Sequence, residues 1–241
     1  RVIADGEEVS LGDKTLKFIF APGVHWPDTM FTYIKEDNVI CTCDFLGAHY
    51  TFSDVFAQES KELEHSAKRY YAEIMMPFRM MCKKYTQMIK DMNVDMVLPS
   101  HGPVYTRPDF ILDLYADWTA DTPKNLVVMP YVSMYESTKE MIDYLSDRLN
   151  EKGIQTFKFD IVDDDLGDLA MSLVDAATIV MGTSMVLAGP HPMAVNVAYL
   201  AAVLRPKAKF ASLVGSYGWG GKLFDLIAQI LAPLKLDVIE P

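Results

Sequence analysis

The chain has 241 residues, half of them hydrophobic, and 33 acidic against 22 basic side chains give it a net charge of −11. That length supports two domains of ordinary size, each with its own core, while the acidic balance excludes the basic face that a nucleic-acid partner requires. No apolar run reaches membrane-spanning length, and three cysteines, Cys41, Cys43 and Cys82, suit a reducing compartment, so a cytoplasmic protein is expected.

In chain order, Thr15 to Phe20 (TLKFIF) alternates as a strand, and Phe31 to Ile34 and Val39 to Cys43 flank a Glu36-Asp37-Asn38 turn as a hairpin. Cys41 and Cys43 share a face of the second strand, where packing explains them without metal or redox chemistry. Residues 59 to 93 read as helical, with a break at Pro77. The methionines there (Met75, Met76, Met80, Met81, Met88, Met92) read as adaptable core. Val94 to Pro99 is one more strand, running into Ser100-His101-Gly102. Asp121-Thr-Pro-Lys124 is the joint, which divides the chain into domains at 1–122 and 123–241.

After the joint, strands are predicted at 125–132, 154–162, 178–184, 209–216 and 236–239 with helices between them, a doubly wound α/β pattern with a parallel five-stranded sheet. Ligands of such sheets sit beyond the carboxyl ends of the strands. Three loops leave that edge. The first, Tyr131 to Met141, passes from a buried strand into a helix whose Met141, Leu145 and Leu149 recur every four residues. Ser137 and Glu140 have capping-box spacing, which would leave amide groups and the positive end of a helix dipole facing an anion. Ser133, Ser137 and Thr138 add hydroxyls, and Met134, Tyr135 and Glu136 complete the loop beside Lys139. It lacks the glycines of the Walker and dinucleotide loops. A well-capped ordinary turn is the plainer reading.

The second loop begins at Thr183-Ser184-Met185-Val186, and the third is Gly215-Ser216-Tyr217-Gly218-Trp219-Gly220-Gly221. Glycines in the third admit a flat ligand close to the backbone, and Tyr217 and Trp219 offer rings to stack on it. In the first half, His25, Asp44 and His101 each follow a predicted strand or its turn. Imidazole with carboxylate suits iron or zinc, and Asp44 could bridge two ions through its two oxygens. Singly, each also reads as an ordinary loop residue. His49 and His65 read as surface or packing residues.

The phosphate loop resembles the hydroxyl-rich loop with which flavodoxins hold FMN. Taken with His25-Trp-Pro-Asp-Thr-Met-Phe-Thr-Tyr33, Lys68-Arg-Tyr-Tyr71, Met76-Pro-Phe78, Pro99-Ser-His-Gly-Pro103, Ser133-Met134 with Ser137-Thr138, and Gly215-Ser-Tyr-Gly-Trp-Gly220, the chain resembles the flavodiiron proteins along its whole length. The resemblance implies a partial metallo-β-lactamase-like αββα domain followed by a flavodoxin-like domain. It further implies FMN on the three loops, and a non-haem di-iron centre with His25, Asp44 and His101 as metal ligands and catalytic residues. The implied activity is reduction of dioxygen to water or nitric oxide to nitrous oxide. A rubredoxin-like or F420-type electron donor and a head-to-tail homodimer or tetramer come with it.

Two departures accompany the resemblance. The family's upstream ligand cluster, His-x-Glu-x-Asp-His, has no counterpart, since no His-x-Glu occurs in the sequence. On three ligands alone, at most one weakly held metal is expected. The chain also opens at Arg1 and stops at Pro241 just after the fifth strand, so both ends read as cut. An alternative is an FMN electron-transfer module on a non-catalytic β-lactamase-like scaffold; a zinc hydrolase is a third reading, one that leaves the second domain without a purpose.

Overall fold

The computed structural model describes residues 2–51, 53–218 and 223–239. The chain divides into two compact units, Arg1–Ala120 and Asp121–Pro241.

In the first unit, β1 (Glu8–Ser10), β2 (Thr15–Phe20), β3 (Met30–Ile34), β4 (Val39–Cys43) and β5 (Met96–Pro99) form one sheet in that order. Neighbours are antiparallel up to β4, which pairs in parallel with β5. As a result β2, β4 and β5 run in one direction, and the loops carrying His25, Asp44 and His101 leave the same edge. Asn38, at φ 53, closes the β3–β4 turn, a left-handed position that asparagine tolerates well. Its side-chain oxygen accepts from Tyr33 Oη at 2.8 Å.

Three helices accompany this sheet: α1 (Lys61–Tyr70), α2 (Arg79–Met92) and α3 (Pro108–Thr119). Ser60 caps α1 by accepting from Leu63 N at 3.2 Å. Between α1 and α2 the helix first widens into a π-helical segment, Tyr71–Met75, then tightens into a 3₁₀ turn, Met76–Phe78. Pro77 accounts for that break, because its ring removes an amide donor from the ladder. Met75 and Met76 are buried as expected of core, whereas Met80 is exposed. The buried core contains a cluster of aromatic rings: Phe31 stacks on Phe45 at 5.8 Å between centroids, and Tyr115 meets Phe45, Tyr71 and Trp118, each at 5.3 Å. Such pairs contribute roughly 0.5–1.5 kcal/mol each beyond their burial.

The second unit alternates strand and helix: β6 (Lys124–Val132), α4 (Ser137–Glu151), β7 (Gln155–Asp160), α5 (Leu166–Asp175), β8 (Ala176–Thr183), a small hairpin of β9 (Met185–Val186) and β10 (Gly189–Pro190), α6 (Pro192–Leu204), β11 (Phe210–Gly215), α7 (Leu223–Leu231) and β12 (Asp237–Val238). The sheet is wholly parallel with order β12-β11-β8-β6-β7. Counted along the chain that is 2-1-3-4-5, the flavodoxin order, and it reverses between β6 and β8. The inner strand β6 is buried from Leu126 to Val132, the near-continuous apolar run expected of a strand covered on both faces. Ile142 of α4 packs with Met129, Tyr131 and Val180 in that core. Among the described residues no helix is long and apolar enough to cross a membrane.

Three elements were not anticipated from sequence: β1, α3 and the β9–β10 hairpin. The hairpin turns through Leu187 and Ala188, at φ 47 and 65. Two consecutive left-handed residues make a primed two-residue turn, which normally takes Asn-Gly. The sequence Leu-Ala gives no such signal.

Candidate cofactor and metal sites

The loops following β6, β8 and β11 leave the carboxyl edge of the second sheet, and those after β6 and β8 flank the point where its strand order reverses, the position at which doubly wound sheets bind ligands. The expected capping box is not formed. Glu136 takes the N-cap position in a left-handed conformation, φ 64, so Ser137 becomes the first helical residue. Ser137 N bonds back to Tyr135 O at 2.8 Å, and Glu140 N makes the first helical bond, also 2.8 Å, to Glu136 O. Glu136 forms an ion pair with Lys139 at 3.2 Å instead of capping.

Thr138 and Ser133 are placed quite differently from exposed Ser137. Thr138 is fully buried, and neither its Oγ1 nor Ser133 Oγ has a hydrogen-bond partner; Ser184 Oγ, in the loop after β8, is likewise buried and unpartnered. A buried hydroxyl left unpaired costs about 1–3 kcal/mol. Three of them on two adjacent loops at the switch point mark a place built for a ligand rich in hydrogen-bonding atoms.

Around these hydroxyls the loops carry apolar and aromatic surface. Met134 is half-exposed, and Tyr135 and Tyr217 present 87 % and 84 % of their surface. Met185, Gly215, Ser216, Tyr217, Leu223 and Phe224 line a cavity of about 200 Å³. Met185 N donates to Ser216 Oγ at 3.4 Å, joining the second loop to the third, and a Cβ on Gly218 would touch Met185 Sδ at 4.0 Å. A Cβ on Gly215 would lie 2.3 Å from Thr183 O, so only glycine allows these strands to end so close together. Thr183 serves the loop itself: its hydroxyl donates to Ser184 O and accepts from His191 N, at 3.0 and 3.2 Å. His191 caps α6 through Nδ1, which accepts from Met193 N. Val186 continues into the strained Leu187-Ala188 turn. Trp219 and Gly220 lie outside the described residues.

At the edge of the first sheet, Asp44 lies between two imidazoles. His25 Nε2 is 3.3 Å from Asp44 Oδ2, and His101 Nε2 is 3.4 Å from Asp44 Oδ1. The carboxylate is only 18 % exposed. Backbone bonds tie the loops together: Ser100 N donates to Cys43 O at 2.7 Å and Ala48 N to His101 O at 3.1 Å. Gly102, at φ 85, lets them approach, because a Cβ there would lie 2.7 Å from Ala48 O.

Each carboxylate oxygen faces one imidazole, and no group of three or more His, Cys, Asp or Glu placed to hold a metal ion occurs among the described residues. Imidazole nitrogen and carboxylate oxygen are donors suited to iron or zinc.

Two further residues stand at this edge: Tyr70, quoted from the sequence only within the Lys68–Tyr71 motif, and His49. Tyr70, at the end of α1, donates its phenol to Asp44 O at 3.0 Å. Burial first, and then the negative charge of Asp44, raise its pKa, which keeps it a donor. His49, expected on the surface or in packing, is exposed yet meets Tyr70 and His101 edge-on, at 4.9 and 5.7 Å. Cys41, Cys43 and Cys82 are all free. Burial raises the thiol pKa of Cys41 and Cys82, in keeping with packing.

Residues 1–102 match a family model described as ODP family beta lactamase. Over the whole chain, the sequence is 32 % identical to a nitric oxide reductase of Moorella thermoacetica, covering 62 % of that protein. It is 31 % identical to an anaerobic nitric oxide reductase flavorubredoxin of Salmonella typhi, over 96 % of the chain and 50 % of the relative. The solved rubredoxin oxygen:oxidoreductase of Desulfovibrio gigas superposes on 99 % of the chain with a TM-score of 0.92 and 25 % identity, the match spanning 61 % of that structure. The chain thus spans about half to three fifths of the length of the relatives it matches. A β-lactamase-like sheet, a flavodoxin-ordered sheet and these relatives agree: residues 1–102 match the ODP family beta lactamase model, and over the length it spans the chain is similar to nitric oxide reductases, a flavorubredoxin among them, and to a rubredoxin oxygen:oxidoreductase.

Proposed function

We propose that this chain supplies an FMN site and part of a non-haem di-iron site to an oxidoreductase that reduces dioxygen, nitric oxide or both. The observation that carries the reading is the set of buried, unpartnered hydroxyls of Ser133, Thr138 and Ser184 at the switch point of a flavodoxin-ordered sheet. Asp44 between His25 and His101 supports the metal half. The relatives named as nitric oxide reductases and an oxygen oxidoreductase support the reaction class.

Ser133 and Thr138 would donate to the FMN phosphate, aided by the amides at the start of α4. Ser184, Met185 and Val186 would face the flavin's polar edge and ring, and Tyr135 and Tyr217 would cover it. His25, Asp44 and His101 would be the residues of this chain that hold iron. Bound there, the irons would offer open positions to a diatomic ligand and FMN would supply electrons. The further ligands implied by the resemblance have no counterpart among these 241 residues.

A rubredoxin-like or F420-type electron donor and a head-to-tail homodimer or tetramer complete the proposal. The name flavorubredoxin among the relatives favours the rubredoxin type. One experiment tests it: the protein is reconstituted with FMN and ferrous iron, and anaerobic consumption of nitric oxide, then consumption of dioxygen, is followed with reduced rubredoxin as donor. Flavin-dependent consumption of either gas is expected. A protein that takes up FMN but neither binds iron nor consumes gas would instead be an electron-transfer module on a β-lactamase-like scaffold.

A further inference from the structure

Tyr70 touches two of the three loops that build the metal edge of the first unit, those carrying Asp44 and His101, and does so from a separate element. It is 2 % exposed at the end of α1. Its phenol donates to the main-chain carbonyl of Asp44 at 3.0 Å, and its ring lies 4.9 Å from that of His49 and 6.1 Å from that of His101. A Cβ on Gly47 would come within 3.2 Å of Tyr70 Cζ, so the loop after Asp44 is shaped around this ring.

Other buried phenols of the unit differ. Tyr105 and Tyr115 hydroxyls have no hydrogen-bond partner, so these residues act as core through their rings alone. The helix also departs from regular geometry just beyond Tyr70, in the π-helical segment starting at Tyr71. Such widenings are rare and concentrate where a side chain must be aimed at a functional site.

We propose that Tyr70 is a positioning residue for the metal site, fixing the Asp44 carboxylate between His25 and His101 through the Asp44 carbonyl and seating the His101 ring. The proposal rests on the metal reading of Asp44, His25 and His101. Without the phenol, the Asp44 carbonyl keeps only the longer bond from Gly47 N, 3.3 Å, and the carboxylate can rotate away from one of the two imidazoles. Outer partners that orient metal ligands in this way typically change metal affinity by about 10–100-fold when removed.

Cobalt(II) titration of the whole protein tests this, with affinity and the visible ligand-field spectrum as readouts. Tyr70→Phe keeps the ring and removes only the donor; Tyr105→Phe removes a buried hydroxyl that holds nothing and serves as the control for stability. Tyr70→Phe is expected to weaken cobalt binding by at least about tenfold and to alter the spectrum, while Tyr105→Phe leaves both unchanged. Faster amide exchange at Gly47 and Ala48 in metal-free Tyr70→Phe is the independent sign of the lost tether. Wild-type affinity and spectrum in Tyr70→Phe would overturn the positioning role with the metal site intact. Failure of the wild-type protein to bind cobalt would overturn the metal reading beneath it as well.

Discussion

His25 Nε2 and Asp44 Oδ2 stand 3.3 Å apart although a whole β-hairpin separates the two residues in the chain. The contact exists because β2 and β4 run in the same direction, so the loops after them meet at one edge. Asp44→Asn keeps the shape of that side chain but removes the charge and replaces one bridging oxygen by a donor. Metal content is expected to fall by at least about tenfold with flavin content unchanged, as measured by elemental analysis beside the flavin absorbance. Retention of two metals per chain in the variant would exclude Asp44 as the bridge.

Thr138→Val is expected to act in opposite directions on two quantities. In the flavin-free protein it removes an unpaired buried hydroxyl and should stabilise the fold by about 1 kcal/mol. Affinity for FMN should fall by about 1.5–3 kcal/mol, the worth of a hydrogen bond to a charged group. Urea denaturation without flavin and fluorescence titration with it measure the two. A plain structural role for the threonine would give destabilisation and no change in affinity.

The β9–β10 turn holds Leu187 and Ala188 in the left-handed region, with Leu187 90 % exposed. Each non-glycine residue there costs on the order of 1 kcal/mol. Replacing the pair by Asn-Gly is expected to raise stability by about 1–2 kcal/mol, read from denaturant midpoints. An unchanged or lower midpoint would mean that Leu187 makes a compensating contact.

Alkaline pH should unfold the first unit. Burial raises the folded-state pKa of Tyr105 and Tyr115 above the ordinary value of 10.0. Below about pH 10 both phenols are protonated in both states and their burial is fully stabilising. Above it the unfolded chain loses protons that the folded chain keeps, so stability falls by up to about 1.4 kcal/mol per pH unit for each phenol. Melting temperatures between pH 8 and pH 11 (about one unit either side of the phenol range) should fall only at the upper end, and Tyr105→Phe should flatten the decline.

Strands β6, β8 and β11 of the second sheet were legible as short apolar runs bounded by turn residues, β7 is more polar (QTFKFD), and the helix break at Pro77 followed from a missing amide. The start of α4 was not: Ser137 and Glu140 have the right spacing, but Glu136 adopts the left-handed conformation that only the closed loop enforces, and takes the cap. Likewise Asp44, His25 and His101 could be named from their places after strands. Their pairwise arrangement, one imidazole to each oxygen, depends on loop contacts through Gly47 and Gly102. Tyr70 lies 26 residues from Asp44 and touches it only through folding. Short elements such as β1, and the primed turn at Leu187-Ala188, lacked the residue signals by which such features are recognised.

The central claim is that the loops after β6 and β8 grip a phosphorylated flavin through Ser133, Thr138 and Ser184. Parallel titrations of the flavin-free protein with FMN and with riboflavin, which lacks the phosphate, test it most directly. FMN is expected to bind at least about 100-fold more tightly, the effect of two charge-assisted hydrogen bonds. Equal affinity for the two compounds, or no binding of either, would contradict it.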